Sequence, residues 1–221
     1  MRQLFTGAMA TRRMPRWFGA ARAGDARGRA IGQVLVAYLA AGAISVGLSA
    51  ALGRDPLRCE GWIASRGAAS VVLSLGLGVC LGAFTIAASQ IVARRAAWGR
   101  ALHAALRPAV HGAGDGALLA LGVASAAGEE LLFRGLLMPI LGLGLSSVVF
   151  GVLHQVRGPG RWGWMPWATL MGFLFGVVFL ATGSLLGAIA AHAAINLVNL
   201  RFVRDNDPAP RRRALGGLLR R

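Results

Sequence analysis

Six apolar runs, separated by short polar or basic stretches, set the pattern of this chain. Ile31–Gly53 and Gly67–Ala93 are uncharged, and each is long enough to cross a hydrocarbon core, which takes about 20 helical residues. Gly116–Ile140 follows, and then the shorter Leu141–Gln155, Trp167–Thr182 and Leu185–Leu200. The intervening stretches are a polar loop, Arg54–Arg66, a basic loop, Arg94–Asp115, and a Gly/Pro/Trp segment, Val156–Pro166. Pro139 is expected to end or kink the third run, because it lacks the amide that a helix needs. Gly183–Ser184 marks a tight turn. In the basic loop, Pro108 and Gly112 break any long helix, while Trp98, Leu102 and Leu106 recur at helical spacing and suit the membrane interface. The pattern predicts an all-α polytopic transmembrane helix bundle of about six spans. Its parts are a basic arm (1–30, with room for a short amphipathic helix around Met14–Phe18), two scaffold helices (31–93), a loop (94–115), a helical core (116–200) and a basic tail (201–221).

Composition agrees with a membrane protein. Hydrophobic residues make up 56% of the 221, and charged residues only 14%, against about 25% charged in soluble domains. The formal charge of +16 raises nucleic acid as a partner. No basic motif interleaved with aromatics supports that, and the basic residues lie almost entirely outside the apolar runs, so the lipid bilayer is the expected partner and nucleic acid is not. All 24 basic residues are arginine. With six crossings, 20 of them fall on one side, and only Arg54, Arg58 and Arg66 on the other. Excess Arg marks the cytoplasmic side, which places both termini in the cytoplasm and the protein in the inner (plasma) membrane. Residues 1–30 contain no compact apolar run with a cleavage site, which argues against a secretory signal. Cys59 and Cys80 form no CxxC and read as two unpaired thiols.

Ionisable residues at membrane depth are expensive, about 2.5 kcal/mol or more near the centre, and so mark function. The first two runs hold only Tyr38 and Cys80, whereas the later ones hold Glu129, Glu130, Arg134, His154 and His192. Glu130 and Arg134 are four apart on one helical face and can pair. Glu129 points about 100° away, free to handle a proton as general acid or base. A structural Glu–Arg pair holding helices together is the alternative reading of Glu130 and Arg134. Phe150 and His154 share a face, as do His192 and Asn196, whose two donors could hold a developing oxyanion or simply bond across helices.

Taken together, Glu129-Glu130 with Arg134 (EExxxR), Phe150 with His154 (FxxxH) and His192 with Asn196 (HxxxN) resemble the CAAX prenyl protease and bacteriocin-processing (CPBP, or Abi) family over roughly residues 116–200. A looser aromatic–glycine match at Phe173–Gly176 adds little. The resemblance implies an intramembrane endopeptidase whose all-helical core encloses a cavity open to the cytoplasm. It implies that Glu129 with His154 activates a water, that His192 and Asn196 stabilise the oxyanion, and that Glu130 and Arg134 orient the group. Zinc is an open alternative: if present, its ligands would be Glu129, His154 and His192, although no HExxH occurs. The expected partners are a peptide or membrane-protein substrate. A prenylated one is not expected, since arginine-only basicity points to a GC-rich bacterial genome. Two other functions fit the same residues: a proton-coupled transporter, against which no internal repeat is visible, and a non-catalytic immunity or scaffold protein.

Overall fold

The computed structural model describes residues 16–63 and 67–207, with side chains from Gly28 onward. The Met14–Phe18 helix of the sequence reading falls partly outside these residues, as do Arg66 and most of the basic tail. The elements are all helical: α1 (Arg16–Ala51), α2 (Ala68–Arg95), α3 (Ala97–Val110), α4 (Asp115–Glu130), a π-helical segment (Leu131–Leu137), α5 (Met138–Leu153), α6 (Arg161–Thr182) and α7 (Leu186–Asp205). Among the described residues, five helical stretches are long and apolar enough to cross a membrane, and Asp115–Leu153 is one of them. The chain is a multi-pass membrane protein.

The third and fourth runs of the sequence pattern are joined in that stretch. They nevertheless run back along one another. Seventeen residues of straight helix would separate Phe133 from Phe150 by about 25 Å, yet their rings lie 4.9 Å apart in an edge-to-face pair. The reversal sits at Gly142, whose φ of 77° and ψ of 166° are open to glycine alone. Pro139, expected to break the chain, lies instead within the first turn of α5. Its missing amide costs little there, and the looser π-helical turn precedes it.

Other boundaries also move. Pro108 is accommodated in the last turn of α3. The helix α6 starts at Arg161, inside the segment expected to be a loop, and carries Pro166. The Gly183 turn stands as expected: it caps α6 in the left-handed region, with φ 72°. The amphipathic α3 packs one side against the bundle, with Trp98, Leu102 and Leu106 partly buried. Gly99, His103 and Val110 are buried against the bundle, and His103 Nε2 and Arg107 Nε both reach the Asn206 carbonyl at the end of α7.

Two close approaches set the packing, as small residues do where lipid supplies no hydrophobic drive. Gly128 of α4 lies against the α1 backbone, where a Cβ would come 2.5 Å from the Tyr38 carbonyl oxygen. Gly187 of α7 leaves no room for any side chain beside Ser74 of α2, whose hydroxyl accepts the Gly187 amide at 2.9 Å. The main buried cluster, with Met171, Phe175, Phe179, Leu185 and Ile195, lies between α6 and α7 and forms one wall of the site described next.

Candidate functional site

All six residues singled out by the sequence converge. Glu129 and Glu130 end α4, Arg134 sits in the π-helical segment, His154 caps α5, and His192 and Asn196 share a face of α7. The pairing of Glu130 with Arg134 is formed: Arg134 Nη1 donates to Glu130 Oε1 at 2.9 Å, with both side chains buried. Burial of the guanidinium is offset by three aromatic faces, Phe150 at 4.4 Å, Phe175 at 5.4 Å and Phe133 at 5.9 Å. The same Glu130 oxygen accepts from His192 Nδ1 at 2.8 Å. One carboxylate thus ties the π-helical turn to α7.

The four-residue spacing of Phe150 and His154 has a local cause. The last carbonyls of a helix lack intrahelical partners, and His154, at the C-cap of α5, donates from Nδ1 to the Phe150 carbonyl at 2.7 Å. Its ring packs on Phe150, with centroids 4.2 Å apart. That fixes the tautomer and aims Nε2 away from the helix. His192 is fixed likewise, by Glu130 at Nδ1 and by the stacked ring of Phe175 at 5.0 Å.

Both free Nε2 atoms face one oxygen. Glu129 Oε2 lies 3.5 Å from His154 Nε2 and 3.8 Å from His192 Nε2. It is buried, with no hydrogen-bond partner. With each imidazole proton committed at Nδ1, two lone pairs confront a carboxylate oxygen, an arrangement that calls for a shared proton or a bridging water. Asn196 is held from the other side: Nδ2 donates to Ser125 Oγ at 3.0 Å, leaving its second N–H for another acceptor.

The three residues named as zinc ligands do come together, with one Glu129 oxygen facing both Nε2 atoms, although no group of three or more His, Cys, Asp or Glu among the described residues forms a metal site as it stands. The roles that follow are those of the protein groups alone.

A cavity of about 200 Å³ is lined by two of these residues, His154 and Asn196. It lies between α2, α3, α6 and α7, with Trp98, Leu102 and Phe202 also in its walls. Its walls are almost wholly apolar, and α3 stands on the arginine-rich side.

Three contributors escaped the sequence reading. Tyr38 of α1 faces the Glu129 carboxylate. It is the chain's one tyrosine and the one polar aromatic of an otherwise apolar span, a signal that was there to be used. Ser125, which holds Asn196, lies one helical turn before Glu129. Phe175 stacks on His192, whereas Phe173, in the weak aromatic–glycine match, is 42% exposed on the outer face. Only the packing of α6 distinguishes those two.

Comparison with known proteins agrees with the motifs. Residues 116–198 match the family model for type II CAAX prenyl endopeptidases, described as Rce1-like. That segment spans all six site residues, and the family resemblance read from the sequence is borne out over it. A curated relative, the uncharacterized protein YpbD of Bacillus subtilis (strain 168), is 37% identical over 70 residues. The match covers 32% of this chain and 36% of YpbD, so the chain spans about a third of that relative's length. No solved structure matches the chain.

Proposed function

We propose that this protein is an intramembrane endopeptidase of the inner membrane, hydrolysing a peptide bond with a water activated by Glu129 and His154. One observation carries the reading: a buried Glu129 oxygen with two oriented imidazole nitrogens at 3.5 and 3.8 Å, one of them on His154, which lines an apolar cavity. A water donating to Glu129 Oε2 would be deprotonated as its oxygen attacks a substrate carbonyl. His154 would then carry the proton to the departing amine, since its Nδ1 is held by the backbone and its Nε2 is free to exchange. The tetrahedral oxyanion would be met by the second N–H of Asn196, and by His192 once its Nε2 has taken up the proton shared with Glu129. Glu130 and Arg134 would do no chemistry themselves. They hold His192 and the π-helical turn in place.

The expected substrate is a peptide or the exposed segment of a membrane protein, reaching the site through the cavity beside α3. Both termini are assigned to the cytoplasm by arginine distribution, which also places that opening on the cytoplasmic side. A non-catalytic scaffold would gain little from a buried carboxylate oxygen held between two imidazole nitrogens.

The test compares wild type with Glu129→Gln and His154→Ala, purified in detergent, on a library of quenched-fluorescent peptides, and in cells by sequencing newly formed membrane-protein termini. Each variant should stay folded and lose at least about 10²–10⁴-fold in rate, the range general acid–base groups supply. Cleavage retained in either variant rules out the assignment. Loss of Asn196 should cost about 10²–10³ in kcat, as for other oxyanion donors.

A further inference from the structure

Three polar side chains that the proposed chemistry does not use line the cavity, Ser89, His103 and Asn199; His103 is tied through Nε2 to the Asn206 carbonyl, which leaves the pair of Ser89 and Asn199. Asn199 lies on α7, three residues beyond Asn196, on the face that lines the cavity. Its Oδ1 accepts from the Ser89 hydroxyl of α2 at 3.0 Å when the single hydroxyl proton is given to Asn199 and not to the Ile86 carbonyl 2.9 Å away. The amide plane is thereby fixed, and the Nδ2 donors have no partner among the described residues. The rest of the lining is mainly apolar, with Trp98, Leu102, Met171 and Phe202 among it. Sites for small or extended ligands have this character: apolar walls with a few fixed polar groups that set orientation.

The dimensions suit a peptide backbone. The α7 wall of the cavity runs from Ile195 to Val203, about 12 Å at 1.5 Å per residue. That length takes three to four residues of extended chain at about 3.3 Å each. Side chains three apart on a helix are about 5–6 Å apart at Cβ. Carbonyls on the same side of an extended chain recur about every 6.7 Å. If Asn196 faces the carbonyl under attack, Asn199 falls beside the next carbonyl on that side, toward α3.

We propose that Asn199 is a substrate-binding residue that donates from Nδ2 to a backbone carbonyl of an extended peptide, two residues from the scissile position, with Ser89 holding its amide in the required orientation. The inference rests on the hydrolase reading and adds to it a sequence-independent anchor, so that the enzyme binds main chain at this point and leaves side-chain selection to the apolar walls.

The probe is a quenched-fluorescent heptapeptide of alternating leucine and alanine. Asn199→Asp keeps an acceptor-shaped side chain but removes the donor, and Asn199→Ala removes both. Each should raise KM about 5-fold, the effect of one neutral hydrogen bond, with kcat within twofold of wild type. Ser89→Ala should raise KM less, because it only loosens the amide. The Kd of the same peptide, read in a Glu129→Gln background from quenching of cavity tryptophan emission, should rise in parallel. If Asn199→Asp leaves KM and Kd unchanged, or if Ser89→Ala matches Asn199→Ala in lowering the melting temperature with KM unmoved, Asn199 only ties α2 to α7 and the proposal falls. If the wild type binds the peptide but never cuts it, the hydrolase reading fails, and the Kd ratio alone decides the role of Asn199. No binding by the wild type overturns the anchor as well.

Discussion

Replacing Arg134 with methionine tests the central electrostatic argument. Methionine keeps the length and apolar stem of the side chain but removes the charge. Three things are lost: a 2.9 Å charge-assisted bond to Glu130, contact with three aromatic faces, and the counter-charge of a carboxylate with no solvent exposure. Removing one partner of a buried pair typically costs about 3–5 kcal/mol, because the remaining charge is stranded. The upper end applies if Glu130 stays ionised. The lower end applies because His192 Nδ1 still donates to it at 2.8 Å. At about 2–4 °C per kcal/mol for a chain of this size, the melting temperature in detergent should fall by roughly 6–20 °C. The second variant sharpens the test. With Glu130→Gln added, no charge is stranded, and at least half of the lost stability should return. The double-mutant cycle should therefore give a coupling of about 2 kcal/mol or more. Activity should be low in both variants, since His192 loses its fixed acceptor in the second and its anchored turn in the first. The reasoning is refuted if Arg134→Met melts within about 2 °C of wild type, or if Glu130→Gln makes it worse.

Further outcomes follow from other contacts. Tyr38→Phe removes only the hydroxyl that meets Glu129 and should lower kcat about 10-fold, the value of a hydrogen bond to a charged group, with no change in melting temperature; unchanged kcat would leave Tyr38 a packing residue. Gly128→Val should part α1 from α4, since even a Cβ meets the Tyr38 carbonyl, and should cost about 1–3 kcal/mol or more in thermal stability. The arginine-based orientation predicts that Ile63→Cys, at an exposed position in the Arg54–Arg66 loop, is labelled by a membrane-impermeant maleimide from outside the cell, while Arg100→Cys is not; the reverse pattern inverts the topology. Hydrolysis should persist after treatment with a strong chelator if Glu129 and His154 activate the water as proposed; loss that zinc restores would put a metal in the mechanism.

The sequence by itself determined most of what is chemical here. Long uncharged runs force helices in lipid, since no other backbone conformation satisfies its own amides there, and an ionisable residue in such a run is too costly to be idle. That logic identified Glu129, Glu130, Arg134, His154, His192 and Asn196, and four-residue spacing foresaw the Glu130–Arg134 pair. Local pattern could not say where the chain turns, because a proline or a loop-like composition is judged against neighbours it does not yet have: Gly142 reverses the chain where Pro139 was expected to, and α6 reaches back to Arg161. Contacts between distant segments were also out of reach. Only the folded bundle decided that Glu130 is shared by Arg134 and His192, that both free imidazole nitrogens face a single Glu129 oxygen, and that α1 and α2 bring Tyr38 and Ser89 to the site. Those depend on close helix approaches at Gly128 and Gly187, which arise from three-dimensional packing and leave no periodic trace along the chain.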